Sequence, residues 1–129
     1  MKRGSKIDFA QVSGMSFKTY AYMCIGCEVE VALENGMLEL RREFSDNPNS
    51  IIPMTPILAD KLTQLFETCG VTNWKCHYEP PKEIRVLDGE GWDLTLNFKD
   101  ETVFKTDGSN AWPDEFDKLK DGLMELFGN

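Results

Sequence analysis

Two stretches of the chain alternate apolar with polar residues at a period of two, the pattern of a strand with one face turned toward a core. In Glu28-Val29-Glu30-Val31-Ala32-Leu33 the alternation runs into Asn35-Gly36. That dipeptide is the strongest short hairpin signal, because both residues tolerate the left-handed backbone of a tight turn. The return strand, Met37 to Phe44, sets Leu38, Leu40 and Phe44 against Glu39, Arg41 and Glu43. In the second stretch Trp92, Leu94, Leu96 and Phe98 alternate with Asp93, Thr95 and Asn97, and Lys99-Asp100-Glu101 turns the chain into Thr102 to Lys105.

After each hairpin the period changes to that of a helix. Thr55-Pro56 supplies an N-cap followed by proline at the first helical position, Leu58, Leu62, Leu65, Phe66 and Cys69 share one face, and Gly70 stops the helix. A second helix is expected to start near Pro113, with Asp114 and Glu115 in the first turn where the helix dipole favours acids. Its apolar stripe is Phe116, Leu119, Leu123 and Leu126, and Gly128 ends it. The chain thus reads as two strand–turn–strand–loop–helix units offset by 65 residues, similar in pattern and not in sequence. Ahead of them, Ile7 to Val12 reads as a short edge strand and Phe17 to Met23 as another, with Ile25-Gly26 turning into the first hairpin. One hairpin and one helix hold too little core to fold alone. The expectation is therefore a single α+β domain over residues 1–129: an antiparallel sheet of four to six strands with both helices on one face. The other face, bearing Glu28, Glu30, Glu39, Arg41, Asp93 and Thr95, is left polar and open.

Composition narrows the class. With 129 residues, 41% hydrophobic and 28% charged, the chain has ordinary globular values and the length of one domain. No stretch approaches the roughly 18 apolar residues of a membrane span. The basic start, Met1-Lys2-Arg3, lacks the apolar run of a signal peptide, so the expected address is the cytoplasm, where cysteines stay reduced. The net charge of −8 is uneven: residues 1–78 carry −1 and residues 79–129 carry −7. An acidic half argues against nucleic acid, whose phosphates select Lys and Arg. It is compatible with a basic protein partner, but on charge alone solubility is the favoured explanation.

Candidate chemistry is sparse. Cys24-Ile25-Gly26-Cys27 is a C-x-x-C, and Cys69 and Cys76 form a wider pair. Four thiolates converging at one point are a zinc site, so Cys24, Cys27, Cys69 and Cys76 are the candidate ligands of a structural zinc. The competing reading is four small buried hydrophobes. A redox role needs C-x-x-C at a helix start, and here Cys27 leads into a strand. His77 is the single histidine, so any Ser-His-Asp or Cys-His mechanism must use it, and Cys76 beside it points to the opposite side of an extended segment. Asp88-Gly89-Glu90-Gly91-Trp92-Asp93 lacks the spacing of a calcium loop and reads as a turn into a strand. No phosphate-cradling glycine loop is present.

Three local patterns belong together: Val86-Leu87-Asp88-Gly89-Glu90-Gly91-Trp92, the strand Leu94-Thr95-Leu96-Asn97-Phe98, and Gly108-Ser109-Asn110-Ala111-Trp112-Pro113-Asp114-Glu115-Phe116. Over about residues 72–127 this resembles a domain of uncharacterised bacterial proteins, often from Gram-positive gut organisms, with an aspartate–glycine turn, a tryptophan, a hairpin and a G-x-N-x-x-P-x-x-F helix entry. The resemblance implies structural roles for these residues and brings no activity with it. Three functions follow from the residues. The first is a small interaction or accessory domain, with Asp114, Asp117, Asp121 and Glu125 of the last helix as candidate contacts to a basic partner. The second is the zinc-bound domain, which metal analysis of purified protein separates from the first. The third is an enzyme with an unfamiliar carboxylate-based site.

Overall fold

The computed structural model of the protein describes residues 7–21, 29–42, 50–81 and 90–128. Among the described residues seven strands form one sheet: β1 Val12–Ala21, β2 Val29–Glu34, β3 Met37–Arg42, β4 Ser50–Pro53, β5 His77–Tyr78, β6 Glu90–Phe98 and β7 Val103–Ser109. The helices are α1, Pro56–Thr68, and α2, Phe116–Glu125. The sheet runs β4-β3-β2-β1-β6-β7-β5. Every neighbouring pair is antiparallel except β5 with β7, which is parallel.

The α+β class stands, but the sheet exceeds the four to six strands expected. The two additions sit at its edges. β4 falls in Ser45 to Met54, a segment whose polar residues and two prolines suggest a loop, and β5 is only two residues long, too short to leave a periodic signal. The N-terminal segment is also different. Ile7 to Val12 is not an edge strand: Phe9–Gln11 form a 3-10 turn capped by the Asp8 carboxylate, and the strand starts at Val12. That strand, β1, is central, flanked by the inner strands of both hairpins. It is broken early by an irregularity between Val12 and Gly14, which hides the alternation there. The proposed Ile25-Gly26 turn lies outside the described residues.

Both hairpins are present in the expected register, Leu33 opposite Leu38 and Leu96 opposite Phe104. Asn35 and Gly36 take φ of 51° and 76°, the left-handed pair a two-residue turn requires. The second turn places Glu101 at φ 71°, and the Asp100 carboxylate accepts hydrogen bonds from the Thr102 amide (3.0 Å) and hydroxyl (2.6 Å).

At α1 the Thr55 hydroxyl accepts from the Leu58 amide at 3.1 Å, and Gly70 follows the helix in the left-handed conformation at φ 63°. α2 begins at Phe116, three residues later than expected. Pro113–Glu115 form a turn closed by the Phe116 amide on the Pro113 carbonyl, and no side chain caps the helix. One continuous core joins Met15, Phe17, Val31, Leu33, Leu38, Leu40, Leu94 and Leu96 of the strands to Leu58, Leu62 and Phe66 of α1 and Phe116, Leu119 and Leu123 of α2. Phe116 packs on Phe17 and Trp92, with ring centroids 5.7 and 5.0 Å away. Phe66 meets Phe9 edge-on at 4.7 Å, and the buried Thr63 hydroxyl accepts from the Phe9 amide while donating to the Ala59 carbonyl.

The G-x-N-x-x-P-x-x-F entry has a packing explanation. Trp92 is fully buried, and its indole N–H donates to the Ala111 carbonyl at 2.9 Å. A Cβ on Gly108 would lie 2.2 Å from that indole nitrogen and 2.4 Å from the carbonyl oxygen, so only glycine fits beneath the bond. Asn110, at φ 56°, accepts from the Glu90 amide through its side chain and donates its own amide to the Glu90 carbonyl, both at 2.8 Å. Pro113 and Phe116 are buried. These residues close the end of the β6–β7 ladder and launch α2.

Candidate functional site

Strand alternation that buries Met15 and Phe17 turns Ser16, Lys18 and Tyr20 to the opposite face of β1. Cross-strand register then lines up one side chain from each of six strands on that face: Arg41, Glu30, Lys18, Asp93, Asp107 and His77. Read across the sheet, the ionised file is plus, minus, plus, minus, minus, plus. Such neighbours stand about 4.5–5.5 Å apart at Cβ, close enough for each to set the state of the next.

At the β2–β3 end one guanidinium is shared by three carboxylates. Arg41 Nη1 meets Glu30 at 3.1 Å, and Nη2 meets Glu34 at 3.3 Å and Glu39 at 3.1 Å. The Ser16 hydroxyl donates to the second oxygen of Glu30 at 3.1 Å. Hydrogen bonding first to Glu39 and then to Glu30 holds the guanidinium even more firmly charged than usual.

The β6–β7 end is different. Asp93 and Asp107 are direct cross-strand partners of like charge. Burial pushes the Asp93 carboxyl above the usual carboxylate range; Lys18 pulls it back, and Asp107 and Glu30 push it further. His77 Nδ1 is hydrogen-bonded to Asp107 Oδ1, and Nε2 lies 3.6 Å from Glu79. The Asp107 hydrogen bond is the main reason the imidazole holds its proton above its ordinary range. Carboxylates at both ring nitrogens favour the protonated imidazole. The face therefore offers ordered charges and hydrogen-bonding groups, and among the described residues the hydrogen-bond and ion-pair partners of the His77 ring are carboxylates.

Of the residues chosen from sequence, Glu30, Glu39, Arg41, Asp93 and Thr95 share this face as expected, and Glu28 lies outside the described residues. Asp114, Asp117, Asp121 and Glu125 are all exposed. They belong to α2 and the turn before it, and α2 packs through Phe116 onto Phe17 and Trp92, which point away from Lys18 and Asp93. The acidic helix surface and the charged file are thus separate. Cys69 is buried, where desolvation raises its thiol pKa, and Cys76 is exposed. Cys24 and Cys27 lie outside the described residues, as do Asp88 and Gly89, while Glu90–Asp93 begin β6. Among the described residues no group of three or more His, Cys, Asp or Glu side chains is arranged to hold a metal.

Lys18, Asp107 and His77 were not anticipated as a set. Lys18 joins it only because β1 is central, and His77 only through the two-residue β5. The legible signal was the Ser16-x-Lys18-x-Tyr20 alternation. No described helix is long and apolar enough to cross a membrane. No protein-family model matches the chain, and no curated protein or solved structure shows significant similarity to it.

Proposed function

We propose that the protein is a small interaction domain whose two helices roof one face of the sheet while the charged face receives a protein partner bearing basic side chains. The observation that carries this reading is the cross-strand file itself. In its β2–β3 half Arg41 is bonded to three carboxylates, and its β6–β7 half keeps two carboxylates side by side. Like charges directly opposite in a ladder cost stability, of order 0.2–1 kcal/mol per pair. A lysine or arginine from a partner relieves that cost and gains charge-assisted hydrogen bonds. The overall charge of −8 steers such a partner toward the protein at long range.

The test is a titration with an extended arginine-rich peptide, followed through backbone amide NMR signals. Expected is a salt-sensitive set of shifts centred on Lys18, Asp93 and Asp107, abolished in an Asp93→Asn/Asp107→Asn variant that keeps its circular dichroism. Shifts confined to Asp114, Asp117, Asp121 and Glu125 would move the contact to α2 and defeat the sheet-face reading.

A further inference from the structure

Tyr20 projects from β1 on the charged face of the sheet and is 44% exposed. Register puts it opposite Gly91, and Gly91 opposite Ser109, in the row next to Lys18, Asp93 and Asp107. Gly91 alternates with Trp92 and so belongs to the charged face, yet it is buried. A Cβ built on it would lie 2.3, 2.5 and 2.7 Å from Cε2, Cζ and Oη of Tyr20. The tyrosine ring therefore reaches across from β1 to β6 and fills the space that a side chain on Gly91 would take. An aromatic ring laid over a glycine of the neighbouring strand packs that strand from above. With its inner side on the glycine, the ring turns its exposed surface outward.

We propose that Tyr20, Asp93 and Asp107 form the seat of an arginine side chain of the protein partner, with the guanidinium packed against the ring and its N–H groups donated to the two carboxylates. The inference rests on the sheet-face reading above and adds which basic residue that face selects. Asp93 and Asp107 are direct partners in the ladder, so their Cβ atoms stand about 4.5–5.5 Å apart. The row of Tyr20 lies two residues further along, roughly 6.6 Å at the rise of a strand. A guanidinium is planar: it packs on an aromatic face while its five N–H donors stay free at its rim for two acceptors. An ammonium is a compact, strongly hydrated point charge and gains less from a ring beside carboxylates. Among the described residues Asp107 engages His77 through Oδ1, which leaves Oδ2 to accept from the partner.

Charge points the same way. About this seat Asp93, Asp107 and Glu79 outnumber Lys18 and His77, even when the imidazole carries its proton. The seat is also formed in advance. Because the ring already rests on Gly91, a bound arginine immobilises little that was free, which lowers the cost of binding.

The test is calorimetric titration of the full chain with two peptides of equal length and charge, hexa-arginine and hexa-lysine, with amide NMR to place each one. Both should shift Asp93 and Asp107, and hexa-arginine should bind about fivefold more tightly, the scale of one exposed cation–π contact. Tyr20→Leu should lose most of that preference with unchanged circular dichroism, because the ring is exposed, and Tyr20→Phe should keep it. Equal affinities at Asp93 and Asp107 overturn the arginine seat while the sheet face stands as a surface for basic side chains in general. A preference that survives Tyr20→Leu intact does the same. Peptides that shift neither aspartate defeat the sheet-face reading, and this inference with it.

Discussion

In the first hairpin–helix unit the helix start is built by the residues that occupy it, whereas in the second it is held by residues distant in sequence. Asn35-Gly36 adopts its left-handed pair, Thr55 caps α1 with its own hydroxyl, Pro56 fixes the first helical position and Gly70 ends the helix. Across from this, α2 has no side-chain cap. Its entry is fixed by Trp92 bonding to Ala111, by Asn110 bonding to Glu90, and by Phe116 packed on Phe17 and Trp92. A locally encoded element tolerates changes elsewhere. An element held by tertiary contacts fails where the close approach is disturbed.

The largest expected effect lies at that close approach. Gly108→Ala puts a methyl against the Trp92 indole and the Ala111 backbone carbonyl, neither of which can yield cheaply. A loss of about 3 kcal/mol in urea unfolding is expected, at the upper end of overpacking costs. Gly122→Ala provides the control. There the added methyl meets the terminal carbons of Leu65, 2.6 and 2.9 Å away, which a rotamer change can move, and alanine also raises helix propensity in α2. Its cost should stay near or below about 1 kcal/mol. Equal costs at both glycines would mean that the indole–carbonyl bond is no more rigid than a leucine tip.

A smaller effect separates the helix starts. Thr55→Ala removes the acceptor of the Leu58 amide and should cost about 1 kcal/mol. Glu115→Ala occupies the equivalent position in α2, where no side-chain cap is made, and should stay within about 0.5 kcal/mol. If Glu115→Ala proved the more costly, α2 would depend on a local cap after all.

The same contrast explains what could be read in the sequence. The first unit was legible almost residue by residue, because Asn35-Gly36, Thr55-Pro56 and Gly70 each act through their own backbone preferences. In the second unit the strands of the hairpin were legible from the alternation at Trp92–Phe98. The start of α2 was placed three residues early, because proline and two acids imitate a helix start whose true anchor is the burial of Phe116. The charged file was half legible. Period-two alternation gave Glu30, Arg41 and Asp93, but the neighbours that set their ionisation, Lys18 and Asp107, depend on strand order, which no local pattern contains. β4 and β5 add four and two residues at the edges, below the length at which periodicity speaks.

The smallest effect concerns β5, the shortest strand, which is joined to β7 in parallel and bound to it by the His77–Asp107 pair. His77 has its pKa raised in the folded chain, chiefly by the Asp107 hydrogen bond. A raised basic group stabilises the fold fully below its unfolded pKa, near ~6.5 for histidine, and that contribution disappears as pH climbs through the higher folded value. The chain has a single histidine, so its imidazole proton signals in NMR report this titration without ambiguity. They should shift at a pH above the ordinary imidazole range in the native protein and return toward that range in Asp107→Asn. Because the pair is exposed, screening by solvent and salt keeps its share of stability small. The same substitution removes the like-charge neighbour of Asp93, so the Asp93 carboxyl should fall toward the usual carboxylate range. If His77 titrates normally in the native protein, the edge strand is held by backbone bonds alone, and the cationic end of the file loses its anchor.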